Sequence, residues 1–321
     1  MGYYYICEGR DKNVKYYIGI DIGGTNIKTG VVDEDGKIIS EHSIPTRAER
    51  PQEEVLKDII KSVRASVSGV DIDYSDVVSA GIGTPGFIDV KNGVVIYNNN
   101  LGWRNFGVSG ELSRELGIPV TLENDADAAA LGEVIAGSAK GAKSAMIITL
   151  GTGVGTGYVV DGKIVRGCEF GHMVIEFGGR QCTCGRKGCF ESYCSATGLI
   201  NMTKELISDN PDGLTARIAA KEGSVGGRTV FDASQKGDKE ADELIDKYIS
   251  YLACGLVNLI NGLQPEIISL GGGIAKQGTR LIDPLKEKVY TEIYEGIKFP
   301  KIVTCTLGYK AGLIGAALAA R

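Results

Sequence analysis

Three cysteines fall within eight residues, at Cys182, Cys184 and Cys189, and His172 stands ten residues ahead of the first. Three thiolates and one imidazole complete a tetrahedral zinc shell, the composition of a closed structural site. The C-x-C-x4-C spacing differs from the paired C-x2-C knuckle, and Gly185 and Gly188 suit a loop tight enough to fold around an ion. A redox pair is the rival chemistry, and the third thiol with its histidine favours a metal over it. An isolated histidine is more often a satisfied core residue than a ligand; the adjacent cysteines reverse that here. A ligating imidazole keeps a second ring nitrogen that needs an outer partner. If that partner is a substrate hydroxyl, the metal loop also shapes a binding pocket. Glu169 and Glu191 bracket the cluster and are further hydroxyl acceptors, although either one alone reads as a solvated surface carboxylate.

A second chemistry lies in the glycines. Asp21-Ile22-Gly23-Gly24-Thr25-Asn26-Ile27-Lys28 is a turn whose glycines let backbone N–H groups face an anion without a Cβ in the way. Thr25 and Asn26 add neutral donors, Lys28 adds charge, and Asp21 is placed to hold Mg²⁺ through water. The turn joins two strands, so it is neither a Walker A loop nor the dinucleotide fingerprint. An ordinary hairpin explains one such turn equally well. The count is three, however: Gly151-Thr152-Gly153-Val154-Gly155-Thr156-Gly157 and Gly271-Gly272-Gly273 each follow a strongly apolar strand. Together they suit a cleft that grips a nucleoside triphosphate.

The third candidate is Glu123-Asn124-Asp125, where a strand gives way to an alanine-rich helix. Asp at a helix start is a common cap and dipole partner. It is also where a general base could take a hydroxyl proton during phosphoryl transfer, with the Asn124 amide anchoring neighbouring hydroxyls. The two readings are compatible.

These residues need elements to hold them. Residues 16–44 read as three short strands, turning at the first glycine motif and at Asp35-Gly36. Pro51 opens a helix to Ser68, with Val55, Ile59, Ile60 and Val63 on one face. The strand VVSAGIG, a polar stretch containing Asn98-Asn99-Asn100 and Trp103, and a helix over Val108–Leu116 follow. The strand PVTLEN and a helix over 125–135 come next, then AMIITL, the turn 151–157 and the strand YVVDGKIV, repeating the opening pattern. Beyond the cysteine loop the chain is mainly helical to Gln264, then EIISLGGG, a helix, KIVTCTL and the closing helix GLIGAALAA. The expected architecture is two α/β lobes, 1–120 with 309–321 returning to it, and 121–308 carrying the metal loop.

Bulk properties agree. A chain of 321 residues fits two medium lobes, and 43% apolar with 23% charged residues is an ordinary globular balance. A formal net charge of -5 gives no global attraction to nucleic acid or anionic lipid. No apolar run reaches the roughly 20 residues that span a bilayer. MGYYYICEGRDKNVK lacks a basic start and an apolar core, so export is not expected. The 46 glycines are about twice ordinary usage. Cys7, Cys168, Cys194, Cys254 and Cys305 suggest burial and nothing further.

Taken in order, DIGGTNIK, END, GTGVGTG, EFGH through CTCGRKGCFE, and LGGGIA resemble the ROK family of sugar kinases and repressors, from about Tyr17 to the final helix. The resemblance implies a two-lobed actin-like (ribonuclease H-like) sugar kinase fold, with ATP and sugar meeting between lobes that close. It implies Asp125 as general base, and Gly86, Asn100, Asn124, Glu169, His172 and Glu191 as sugar contacts. Asp21, Gly23, Gly24, Thr25, Asn26, Lys28, Thr152, Gly153, Gly271, Gly272 and Gly273 match the nucleotide turns; His172, Cys182, Cys184 and Cys189 match the structural Zn²⁺ ligands. ATP with Mg²⁺, a cytoplasmic location and a homodimer or homotetramer go with it. The polyphosphate-using members resemble a version without the cysteine cluster, so ATP is the expected donor. The family's repressors carry a helix-turn-helix ahead of the phosphate turn, and here about 17 residues precede the first strand, so no nucleic acid partner is expected. The implied reaction is phosphorylation of a hexose at its primary hydroxyl, glucose first. N-acetylmannosamine, N-acetylglucosamine, mannose and fructose stay open, and a non-catalytic sugar sensor is the rival from another class.

Overall fold

The structure, a computed structural model, describes residues 14–321; Cys7 and most of the N-terminal segment discussed above lie outside the described residues. The chain divides into two compact units, one running to Asp125 and regaining Gly312–Arg321, the other spanning Ala126–Ala311.

The first unit is built on β1 (Tyr16–Ile22), β2 (Asn26–Asp33) and β3 (Ile38–Pro45), followed by α1 (Gln52–Ser68) and β4 (Val77–Thr84). β1 and β4 are buried almost throughout, as strands covered on both faces must be. β1 and β2 pair antiparallel from Tyr16↔Asp33 to Ile22↔Ile27, so the first glycine motif is the hairpin turn itself. At the next turn Asp33 Oδ1 accepts from the backbone N–H of Asp35 and Lys37. α1 starts after Pro51, carries Glu53 and Glu54 in its positive first turn, and buries Val55, Ile59, Ile60 and Val63.

Between Thr84 and Phe106 the sequence shows a polar stretch. The structure has a separate antiparallel sheet there, of β5 (Phe87–Asp89), β6 (Val94–Asn98) and β7 (Trp103–Phe106). These strands are three to five residues long and bury only scattered positions such as Val95, Trp103 and Phe106, too little pattern to read in advance. Trp103 and Phe106 meet edge to face at 5.0 Å. α2 (Val108–Leu116) and β8 (Val120–Asn124) complete the main sheet, order β3-β2-β1-β4-β8, with β4 parallel to both neighbours.

Next come α3 (Asp125–Ala136), β9 (Ser144–Leu150), β10 (Val154–Val160) and β11 (Lys163–Ile164). The expected long turn over 151–157 is corrected here. Val154 already pairs with Leu150, so only Gly151-Thr152-Gly153 turns, and Val154–Gly157 belong to the strand. Alternate glycines hide a strand because they supply no side chain to show its period. Beyond the cysteine loop lie α4 (Phe190–Cys194), α5 (Ala196–Asp209), α6 (Leu214–Glu222), α7 (Thr229–Ser234) and α8 (Lys239–Leu263). Asp238 caps α8, accepting from the N–H groups of Glu240 and Ala241. β12 (Ile267–Gly271), α9 (Gly272–Ala275), α10 (Thr279–Glu292) and β13 (Lys301–Thr304) close this sheet, order β11-β10-β9-β12-β13.

Both five-stranded sheets share one plan. A three-strand antiparallel meander is followed, across its first strand, by two strands added in parallel. The last helix, α11 (Lys310–Ala319), explains part of the glycine count. Gly19 and Gly81 are register partners on β1 and β4. A Cβ on Gly81 would lie 1.8 Å from the Ala316 carbonyl oxygen, and one on Gly19 2.2 Å from that of Leu313. Helix backbone therefore rests directly on the strands. Among the described residues, no helix is long and apolar enough to cross a membrane.

Candidate active site

In the first unit β1, β4 and β8 run parallel, and their carboxyl ends form one edge. Asp21 pairs with Gly83, Gly83 with Glu123, and Thr84 with Asn124; Asp125 then opens α3. Ligands of open α/β sheets bind at such an edge. Asp21 lies directly across the hairpin from Lys28. Burial pushes the Asp21 carboxyl up to about 6; Lys28 pulls it down and the Asp125 carboxylate pushes it up. A carboxyl held partly out of water beside another acid is suited to a cation, so the residues fit Mg²⁺ at Asp21.

The turn beyond Asp21 is tied from behind. Gly23 N–H donates to the Asn26 carbonyl at 3.0 Å, Thr46 N–H to that of Thr25 at 2.9 Å, and Thr46 Oγ1 to that of Gly23 at 2.6 Å. Gly24, Thr25 and Asn26 are left exposed at the tip. Asn100 lies beside it: a Cβ on Gly24 would sit 3.6 Å from the Asn100 Cβ. Gly86 and Asn100 are organised by one residue that the sequence does not distinguish from its neighbours. The buried Asn98 amide donates to the Pro85 carbonyl at 2.6 Å and accepts from the N–H groups of Asn100 and Leu101. Gly86 itself has φ +107°, with the Tyr97 carbonyl where a Cβ would go.

The second unit holds a cleft of about 700 Å³, within the usual size of a small-molecule site. Gly271, Gly272 and Gly273 line it with Thr149, Lys276 and Tyr309. Gly272, at φ +87°, bridges to Leu150, whose carbonyl oxygen would lie 2.3 Å from an added Cβ. Thr152 and Gly153 do not line this cleft. The Thr152 carbonyl accepts from Thr197 Oγ1 at 2.8 Å, and the Glu191 carboxylate fills the space over Gly153 and accepts from Val154 N–H at 3.1 Å. Cys305, for which the sequence suggests burial alone, lines the cleft, and burial pushes its thiol up to about 12.

His172, Cys182, Cys184 and Cys189 converge, their ligand atoms all within 4.8 Å of one another. His172 Nδ1 is 3.6 Å from Cys182 Sγ, and the Cys184 and Cys189 sulfurs are 3.6 Å apart. Zn–S bonds of ~2.3 Å at tetrahedral angles set neighbouring sulfurs ~3.8 Å apart, so the donor set and its spacing fit zinc. A disulfide would need ~2.05 Å, and the cysteines of the described residues are free. Burial and its thiol neighbours push the Cys189 thiol up, while at Cys182 burial is outweighed by hydrogen bonds from its neighbours, which pull that thiol down, so the cluster already favours one thiolate over the others. Cys189 precedes α4, and a Cβ on Gly188 would lie 1.7 Å from the Glu176 carbonyl, which fixes the tight approach of the loop. Glu191, on α4, also accepts from Thr183 Oγ1 at 3.3 Å, tying the metal loop to the first residue of β10. Glu169 is exposed just ahead of the short turn that carries His172.

Comparison with known proteins shows the family. The chain is 36% identical to a glucokinase of Halalkalibacterium halodurans over 94% of its own length and 93% of the relative's. A solved ROK family glucokinase from Streptomyces griseus, in complex with glucose and AMPPNP, superposes with a TM-score of 0.77 at 32% identity, covering 95% of this chain and 99% of that one. The xylose repressor of Bacillus spizizenii is 27% identical over 95% of this chain and 77% of its own. The sequence profile of the ROK family matches residues 17–321. On these findings, and with the two-sheet α/β fold of its sugar kinases, the chain belongs to the ROK family.

Proposed function

We propose that this protein transfers a phosphoryl group from ATP to the primary hydroxyl of a hexose, with glucose the first candidate. The observation that carries this reading is the strand edge where the glycine turn, the raised carboxyl of Asp21, and the Asn124–Asp125 pair come together. A purely structural edge has no need of two interacting carboxylates. The glucokinases among the relatives support glucose as substrate and ATP as donor.

In this reading the exposed N–H groups at 24–26 and the Lys28 ammonium take up charge on the triphosphate, and Gly271–Gly273 line the nucleoside cleft. Bound Mg²⁺, held through Asp21, would supply a further positive charge to the phosphates. Asn124, with Asn100 and the Gly86 backbone, orients sugar hydroxyls, and Glu169, His172 and Glu191 supply further acceptors and donors. Asp125 accepts the proton of the attacking hydroxyl. Positioning and charge stabilisation provide most of the acceleration and the base about 10²–10⁴-fold. Zinc held by His172, Cys182, Cys184 and Cys189 would be structural, leaving Glu191 and His172 in fixed positions. Free thiols and an ATP supply both suit a cytoplasmic setting.

Asp125→Asn tests the assignment. The variant is expected to lose at least 10²-fold in kcat while binding sugar by calorimetry within a few-fold of wild type. A variant keeping more than a tenth of the wild-type rate would remove Asp125 from the role of base.

A further inference from the structure

Glu133, on α3, is 1% exposed, and a carboxylate in that position must be satisfied by donors. It is. Its Oε2 accepts from Ser138 N–H at 2.7 Å, Ser138 Oγ at 2.8 Å and Thr306 N–H at 3.2 Å, and its Oε1 accepts from Leu307 N–H at 2.8 Å. Ser138 Oγ continues to Ser269 Oγ on β12 at 2.9 Å. Of the residues whose backbone it holds, Thr306 and Leu307 belong to the segment between β13 and α11. Thr304, Cys305, Gly308 and Tyr309 of that segment line the same cleft as Gly271–Gly273, and so does Glu133 itself.

We infer that Glu133 is a positioning residue for the nucleotide: its buried carboxylate pins the 304–309 wall against β12 and so sets the shape of the nucleotide cleft. The inference rests on the kinase reading for what occupies that cleft. Its chemistry is specific to a carboxylate. Both oxygens face backbone N–H groups, which cannot turn away, whereas a hydroxyl can. A glutamine has one acceptor and one donor end, so either orientation sets an amide N–H against a backbone N–H. Loss of one such contact leaves a buried donor unpaired and frees the loop.

Glu133→Gln is therefore expected to raise the KM for ATP about tenfold or more, with the KM for sugar within twofold and kcat at saturating ATP within about threefold. Calorimetric binding of the ATP analogue AMPPNP to the intact zinc-loaded protein should weaken by the same factor. A uniform loss, with both KM values and thermal stability moving together, would mark Glu133 as merely structural and overturn the inference. So would an unchanged nucleotide affinity. Because AMPPNP binding is measured without sugar, wild-type protein that binds it but phosphorylates no sugar would count against the kinase reading alone. Wild-type protein that binds no nucleotide would overturn both.

Discussion

At the residue scale, Asp21 is where structure and chemistry conflict most openly. Its carboxyl, raised to about 6 from an ordinary 3.8, is disfavoured as an anion in the folded chain. Below pH ~4 it is protonated folded or unfolded and costs nothing; as pH rises through 6 the unfolded chain ionises first and stability is lost. Asp21→Asn removes that cost. In the absence of nucleotide and Mg²⁺ the variant should be more stable than wild type at pH 7.5, by on the order of 1–3 kcal/mol, and melt higher, with the gap closing toward pH 4. A lower melting temperature at pH 7.5 would contradict the burial argument. The type of residue at 21, 28 and 125 is legible in the sequence. The electrostatic contact between Asp21 and Asp125, 104 positions apart, appears only once β1, β4 and β8 align. Glu133 shows the opposite limit: a glutamate in an alanine-rich helix reads as a solvent-facing residue, and nothing local predicts its burial among distant N–H donors.

At the scale of elements, the cysteine loop is the part most fully written in the sequence, because ligand chemistry demands particular residues at short range. Zinc should be present at about one ion per chain by elemental analysis of purified protein. Cys184→Ser should lower that occupancy severalfold and lower stability by ~2 kcal/mol or more. Metal-free protein that is folded and as stable as the zinc-loaded form would remove the structural metal. The loop also carries a functional consequence, since Glu191 connects it to the start of β10 through Thr183 and Val154. Less legible were the three short strands over 87–106 and the start of β10. The three short strands offer too few residues to show a hydrophobic period, and at the start of β10 glycine conceals it, as at Gly157, which packs against the Ala130 side chain and the Ala126 carbonyl.

At the scale of the whole molecule, repetition is the informative feature. A strand, a glycine turn and a second strand open each sheet, and this much was visible as two similar runs near residues 17 and 145. The shared strand order, and the close seating of the last helix against Gly19 and Gly81, required the structure. Which sugar is used is a matter of a few hydroxyl contacts on a common frame, so fold and motif constrain the reaction class far more than the substrate. The most direct test is sugar-dependent ADP release from the zinc-loaded protein with ATP and Mg²⁺, across glucose, mannose, fructose, N-acetylglucosamine and N-acetylmannosamine. Turnover is expected, with kcat/KM highest for glucose and glucose 6-phosphate as product. No sugar-dependent ADP release from folded, zinc-loaded protein would contradict it and leave the sugar-sensing alternative in its place.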